Sequence, residues 1–174
     1  MNTYIVLLRG INVSGKNKIP MVELKVLLND LRFQEIQTYI QSGNIILKSE
    51  LSKEEVCKKI NLGIKDKFGF DISVLARTPH EWKKAIEKYP FSIENEKIVA
   101  FSFLNKVPEQ KELEVKGLSE DQYQVVKDVV YLYCPSSFAN TKLTNNTIEK
   151  KLAVIATTRN YKTTIKLLEM ATKL

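Results

Sequence analysis

The segment with the most chemistry per residue is R-G-I-N-V-S-G-K-N-K-I-P, residues 9–20. Gly10, four residues, Gly15 and Lys16 come within one position of a nucleoside-triphosphate phosphate loop, which requires Ser or Thr where Asn17 stands. That hydroxyl would ligate magnesium, and an amide replaces it poorly. A phosphate loop also starts its helix at the Gly-Lys step, so that free N–H groups face the phosphate. Pro20 lies four residues beyond Lys16, has no N–H, and suits a helix that begins at residue 20. The segment therefore does not read as a true phosphate loop. What remains is a donor-rich connection carrying Arg9, Asn12, Lys16, Asn17 and Lys18. It can hold an anion or simply join a strand to a helix.

Two further segments carry polar groups at turn or cap positions. Y-I-Q-S-G-N, residues 39–44, sets Gln41, Ser42 and Asn44 around Gly43, the composition of a tight turn. T-T-R-N-Y-K, residues 157–162, reads as the start of a final helix capped by Thr158. Arg159 would then stand in the first turn, where a cation opposes the positive end of the helix dipole. A bound anion would offset that repulsion, with Thr158, Arg159 and Asn160 converging on it. A carboxylate elsewhere in the fold, or solvent, would serve Arg159 equally well. Ser136, Ser137, Asn140, Thr141 and Lys142 form a similar but less pointed stretch. Catalytic groups do not stand out. His80 is the single histidine, and one histidine cannot build a common zinc site. Asp121, Asp128 and the other carboxylates show no paired or metal-binding pattern. Tyr131 and Tyr133 alternate on one face of a strand, which leaves a base-stacking surface open. No catalytic residue, metal or cofactor is expected.

These segments hang on a regular alternation of strands and helices. T-Y-I-V-L-L-R (3–9) is a continuous apolar run and reads as a buried strand. Pro20 opens a helix with Met21, Leu24, Leu27, Leu28 and Leu31 on one face. Strands at 36–40 and 44–48 flank the Q-S-G-N turn. Ser52 and Glu55 form a capping box for a helix over 53–68. A strand at 72–77 and a helix over 79–88 follow. The second half reads as a strand at 97–104, a short charged helix from Pro108 to about Lys116, and strands at 123–127 and 129–134. Helices over 145–153, capped by Thr144, and 159–172 complete it. The reading is α+β, with a ferredoxin-like β-α-β-β-α-β first half (residues 1–90). A β-α-β-β-α-α second half (residues 97–174) with basic C-terminal helices is expected to pack closely on the first.

The 174 residues carry a formal net charge of +7, with 44% hydrophobic and 27% charged positions, which excludes disordered and low-complexity classes. The positive charge is concentrated late. Residues 139–174 hold seven basic side chains against Glu149 and Glu169, a local balance of +5. Such a region favours an anionic partner or forms a solvated lysine-rich surface. Cys57 and Cys134 are too few and too far apart for a disulfide framework or a zinc site. The apolar run before Arg9 is too short for a signal peptide, and no apolar stretch is long enough for a membrane span. A soluble, cytoplasmic monomer or homodimer is expected.

Several strings are specific enough to compare with a known family. L-L-R-G-I-N-V-S-G-K-N-K-I-P-M (7–21), T-Y-I-Q-S-G-N-I (38–45), K-L-T-N-N-T-I-E-K-K-L (142–152) and T-T-R-N-Y-K-T (157–163) occur in the order of the bacterial family catalogued as domain of unknown function 1697. The chain resembles that family over essentially its whole length. The resemblance implies an α+β fold of ferredoxin-like topology and no established activity, cofactor or partner. It carries signature positions onto Arg9, Gly10, Asn12, Asn17, Gln41, Ser42, Gly43, Asn44, Thr158, Arg159 and Asn160. Ser14 and Tyr161 depart from the Gly and Trp usual in the family, and the family's tolerance at Lys16 weakens any reading of that lysine as a phosphate ligand. Together these features point to a non-catalytic binder of an anionic ligand, either nucleic acid or a phosphate-bearing metabolite. The alternative is an enzyme acting on a phosphorylated or nucleotide-like small molecule.

Overall fold

The computed structural model describes all 174 residues. The chain is a mixed α+β fold with two four-stranded antiparallel sheets and five helices. It divides into two units, Met1–Lys84 with Leu167–Leu174, and Ala85–Lys166.

The first unit is built as its sequence pattern dictates. It runs β1 (Asn2–Leu8), α1 (Met21–Asp30), β2 (Gln34–Tyr39), β3 (Asn44–Ser49), α2 (Lys53–Phe68) and β4 (Val74–Arg77), followed by α3 (Pro79–Glu87). The sheet order is β2-β3-β1-β4. Tyr4 to Leu8 of the central strand β1 are all buried, as a continuous apolar strand requires. Val6 and Leu8 of β1 and Ile45 and Leu47 of β3 pack with Leu24 and Leu28 of α1 and Val56, Ile60 and Ile64 of α2. Each such side chain contributes about 1.5–3 kcal/mol by leaving water. The capping box on α2 is formed: Glu55 N donates to Ser52 Oγ at 3.2 Å and Ser52 N to Glu55 Oε2 at 2.8 Å.

The second unit runs β5 (Val99–Leu104), β6 (Gln122–Val126), β7 (Val129–Tyr133), α4 (Asn145–Leu152), β8 (Ala156–Asn160) and α5 (Tyr161–Thr172), whose later residues belong to the first unit. Its sheet order, β6-β7-β5-β8, repeats that of the first unit. Ala100, Leu104, Val130 and Leu132 on one face pack with Ile148 and Leu152 of α4.

Three local expectations are corrected here. The charged helix from Pro108 is absent, and residues 105–121 connect β5 to β6 irregularly. With Leu113 as its main core anchor, the segment has no apolar stripe to support a helix this short. Leu113 plugs into the core instead and donates its N–H to the Tyr123 hydroxyl at 2.9 Å. Next, residues 156–160 form a strand, not the start of a helix. β-Branched Thr157 and Thr158 complete the edge of β5, with Ser102 opposite Thr158 and Ala100 opposite Asn160. The second half is therefore β-β-β-α-β-α. Finally, Tyr131 is 1% exposed and packs edge-on against Tyr89 and Phe101, so it is core and not a stacking platform. No helix is long and apolar enough to cross a membrane.

Candidate functional site

The structure brings the first two polar segments together, and their amides do the joining. Residues 9–20 form a tight hairpin closed by a Val13–Lys16 bridge. Gly10, Asn12, Ser14, Gly15 and Asn17 all have positive φ, a conformation that Gly and Asn tolerate best. Asn12 Nδ2 donates to Ile19 O at 3.0 Å and to Gln41 O at 2.8 Å, while its Oδ1 accepts from Ile19 N at 2.8 Å. Asn17 Nδ2 donates to Gly10 O at 3.0 Å. Asn44 is fully buried and donates to Tyr39 O at 3.0 Å and Ser42 Oγ at 2.9 Å. Leu8 N donates to Gly43 O at 2.8 Å, an approach so close that a Cβ on Gly43 would meet Leu8 Cβ at 2.7 Å. Asn12, Asn17 and Asn44 are thus committed to holding loops. Arg9 is half-buried, and Lys16, Lys18 and Gln41 are exposed.

The third segment, in the second unit, lines a cavity of about 360 Å³. Thr158 and Asn160 face it from the end of β8, Thr144 and Asn145 from the start of α4, and Thr141 from the preceding turn. Ala100, Phe138 and Leu143 make its apolar wall. Two helices begin here. Thr144 caps α4, accepting from Thr147 N at 3.2 Å. Asn160, and not Thr158, caps α5: its Oδ1 accepts from Thr163 N at 2.9 Å. Asn145 Oδ1 accepts from the Thr158 hydroxyl at 2.6 Å. With both amide oxygens engaged, the NH₂ ends of Asn145 and Asn160 are the groups left to meet a ligand. Neither helix has an acidic residue in its first turn. The lining is therefore rich in donors and holds no formal charge, under the positive ends of two helix dipoles. Ser102 Oγ, fully buried and without a hydrogen-bond partner, stands on the same sheet face directly across from Thr158. An unmatched hydroxyl of this kind costs about 1–3 kcal/mol.

Arg159 does not face this cavity. Strand alternation turns it to the opposite side of the sheet from Thr158 and Asn160. It is 8% exposed, and its Nη1 donates to Thr157 Oγ1 at 2.8 Å and Thr158 O at 2.9 Å. Burial pushes its pKa down to about 10, which leaves it charged at neutral pH. The expected placement of Arg159 at a helix start is thus corrected: it stands in β8, and Asn160 caps the helix that follows.

One residue that the sequence passed over supports the cavity wall. Asp121 is buried, accepting from Ser136 N at 3.0 Å and Ser136 Oγ at 2.5 Å. Burial by itself would raise its pKa, but the Ser136 bonds and one from the Thr141 side chain hold it below the usual carboxylate range. Thr141 so couples the cavity lining to a fixed charge. Burial pushes the Cys134 thiol up to about 11, assisted by Asp121 and opposed by Thr141. Cys134 is therefore a neutral thiol and a packing residue at neutral pH. Asn145 and Phe138 gave no chemical signal by type. The available cue was the T-N-N start of α4 following a polar turn.

In the first unit, Arg32, Lys48 and Lys59 line a depression of about 270 Å³ together with Glu50. Lys48 Nζ donates there to Leu174 O at 2.6 Å, and Lys59 Nζ lies 5.5 Å from the Phe33 ring centroid. These cations come from the α1–β2 turn, β3 and α2, and no spacing in the sequence links them.

The comparisons with known proteins agree with this architecture. The conserved bacterial protein SP0830 from Streptococcus pneumoniae superposes with a TM-score of 0.72 at 25% identity, covering 97% of this chain and 98% of that one. No curated protein matches the chain. The family model described as protein of unknown function, DUF1697, matches residues 1–131, from β1 into β7. That match spans well over half the sequence, and the chain belongs to the DUF1697 family.

Proposed function

We propose that this protein is a non-catalytic binder of a phosphate-bearing small molecule, held in the cavity of the second unit. The observation that carries the reading is the meeting of two helix starts, α4 and α5, at one cavity with no acid in either first turn. Free N–H groups, two amide NH₂ ends and threonine hydroxyls suit an anion that needs many donors. The lining side chains are Ala, Phe, Leu, Thr and Asn, groups that position a ligand and do not shuttle protons at neutral pH. The volume is within the range of small-molecule sites, about 300–1,000 Å³. We also propose that both units are ferredoxin-like in topology, on the strength of the strand order they share.

The test separates ligand binding from folding. Asp caps a helix as well as Asn does, so Asn160→Asp keeps the α5 cap while placing a negative charge at the cavity. Calorimetric titration of the wild-type chain with a panel of phosphate-bearing small molecules, inorganic phosphate included, is expected to give saturable binding. Asn160→Asp and Asn145→Asp are expected to weaken it at least about tenfold while melting at or above the wild-type temperature. The proposal fails if the panel gives no binding, or if both variants bind as the wild type does. Binding of oligonucleotides alone would move the ligand to the lysine-rich surface.

A further inference from the structure

The depression in the first unit is lined by fixed charges. Arg32 from the α1–β2 turn, Lys48 from β3 and Lys59 from α2 line a space of about 270 Å³ in which Glu50 is the one acidic residue. We infer that this depression binds the phosphate dianion of a small phosphomonoester, as a site additional to the cavity of the second unit.

Charge argues first. Three cations and one carboxylate leave the lining at a formal +2, and no ion pair joins Glu50 to any of the three. A concave surface concentrates the field of such unspent charge. A phosphomonoester carries about −1.5 to −2 near neutral pH, which matches the lining, whereas a carboxylate or an internal nucleic-acid phosphate supplies half as much. Placement argues next. Arg32 follows α1 with φ +66°. Its N–H donates to Asn29 O at 2.9 Å and the Phe33 N–H to Leu28 O at 3.2 Å, the helix-ending turn in which glycine is the usual left-handed residue. The negative end of α1 favours one cation nearby, but Lys48 and Lys59 arrive from other elements. Phe33, which closes the turn, is buried, and Lys59 Nζ stands 5.5 Å from its ring centroid. The same residue therefore ends α1 and seats a second cation. Lys48 Nζ donates to Leu174 O at 2.6 Å, which leaves two of its three protons for a ligand. Gln34, the register partner of Lys48 across β2 and β3, adds its amide to the lining. Size argues last. The space is slightly below the range of drug-sized sites, about 300–1,000 Å³, and suits a compact ligand over an extended chain.

Inorganic phosphate and dimethyl phosphate are the probes. Each is titrated into the ¹⁵N-labelled full chain at low, constant ionic strength and mildly alkaline pH, where inorganic phosphate is a dianion. With phosphate, the amide resonances of residues 32–34 and 48–51 are expected to shift saturably, with Kd at or below about 1 mM. Dimethyl phosphate, a monoanion like an internal nucleic-acid phosphate, is expected to bind at least about tenfold more weakly. Arg32→Gly is expected to weaken phosphate binding at these resonances at least about tenfold while melting at or above the wild-type temperature, because glycine suits the left-handed turn. Lys59→Gln is the second variant, with the same loss of affinity expected. Equal affinity for the two probes overturns the inference, as does phosphate affinity unchanged in Arg32→Gly and Lys59→Gln. Shifts confined to residues 141–145 and 158–163 also overturn it and leave the cavity of the second unit as the anion site. Shifts confined to residues 32–34 and 48–51 support it and remove the cavity reading. No saturable shift anywhere removes both.

Discussion

At the scale of single residues, burial and hydrogen-bond accounting decide which polar groups can act. Asn12, Asn17 and Asn44 looked like ligand donors by type, but their donors already have main-chain or side-chain acceptors. Asn145 and Asn160 differ because a neighbour occupies each oxygen, which leaves donors over. Asp121 shows how a carboxylate can be structural and still titrate. Its pKa is depressed in the folded chain, so on acidification the unfolded chain takes up that proton first. The stability it contributes is complete above the unfolded value of about 3.9 and disappears as pH falls through the lower folded value. Asp121→Asn is accordingly expected to cost about 1–3 kcal/mol at pH 7. In urea titrations the gap from the wild type should narrow below about pH 4, and a gap independent of pH would remove this role.

At the scale of elements, the hairpin of residues 9–20 is held by side chains more than by its few main-chain bonds. The Asn12 amide reaches both Ile19 and Gln41, so one residue ties the β1–α1 connection to the β2–β3 turn. Asn12→Ala loses all three of these bonds and places alanine at φ +53°, where a Cβ is disfavoured without a local hydrogen bond. It is expected to destabilise the protein by about 2–3 kcal/mol, lowering Tm by roughly 5–10 °C for a chain of this size. Phosphate affinity should be unchanged, because Asn12 lies outside the cavity. A neutral effect on Tm would show that the hairpin closes without this latch. The contrast between the two sheets belongs to this scale too. α1 links β1 to β2 with three buried leucines, Leu24, Leu27 and Leu28. The corresponding link from β5 to β6 offers Leu113 as its fully buried anchor, and it stays irregular.

At the scale of the molecule, the charge of +7 and the cavity make opposite predictions about salt. Lysines that neutralise nucleic-acid phosphates release counterions, and six such contacts would cost about 10³-fold in affinity between 50 and 200 mM salt. A phosphate-bearing ligand held by the neutral donors of the cavity releases few counterions, so its affinity is expected to change by less than about threefold over that range. A slope as steep as the nucleic-acid one, measured by titration at the two salt levels, would transfer binding to the lysine-rich surface. Much of the architecture was legible in the chain because its information is local. The S-x-x-E box and the stripe of Val56, Ile60 and Ile64 specify α2 within sixteen residues, and the T-N-N start marks α4. Residues 156–160 were not legible, because Thr-Thr-Arg-Asn satisfies a strand or a helix start equally well until the edge of β5, more than fifty residues earlier, supplies its hydrogen bonds. That pairing sets the alternation which turns Thr158 and Asn160 to the cavity and sends Arg159 the other way. Residue types and caps alone thus determined most of the elements, though not β8 or the irregular β5–β6 link, and the polar segments. Long-range strand pairing decided which of those polar groups converge, since a side chain's direction in a strand depends on a register that no local spacing encodes.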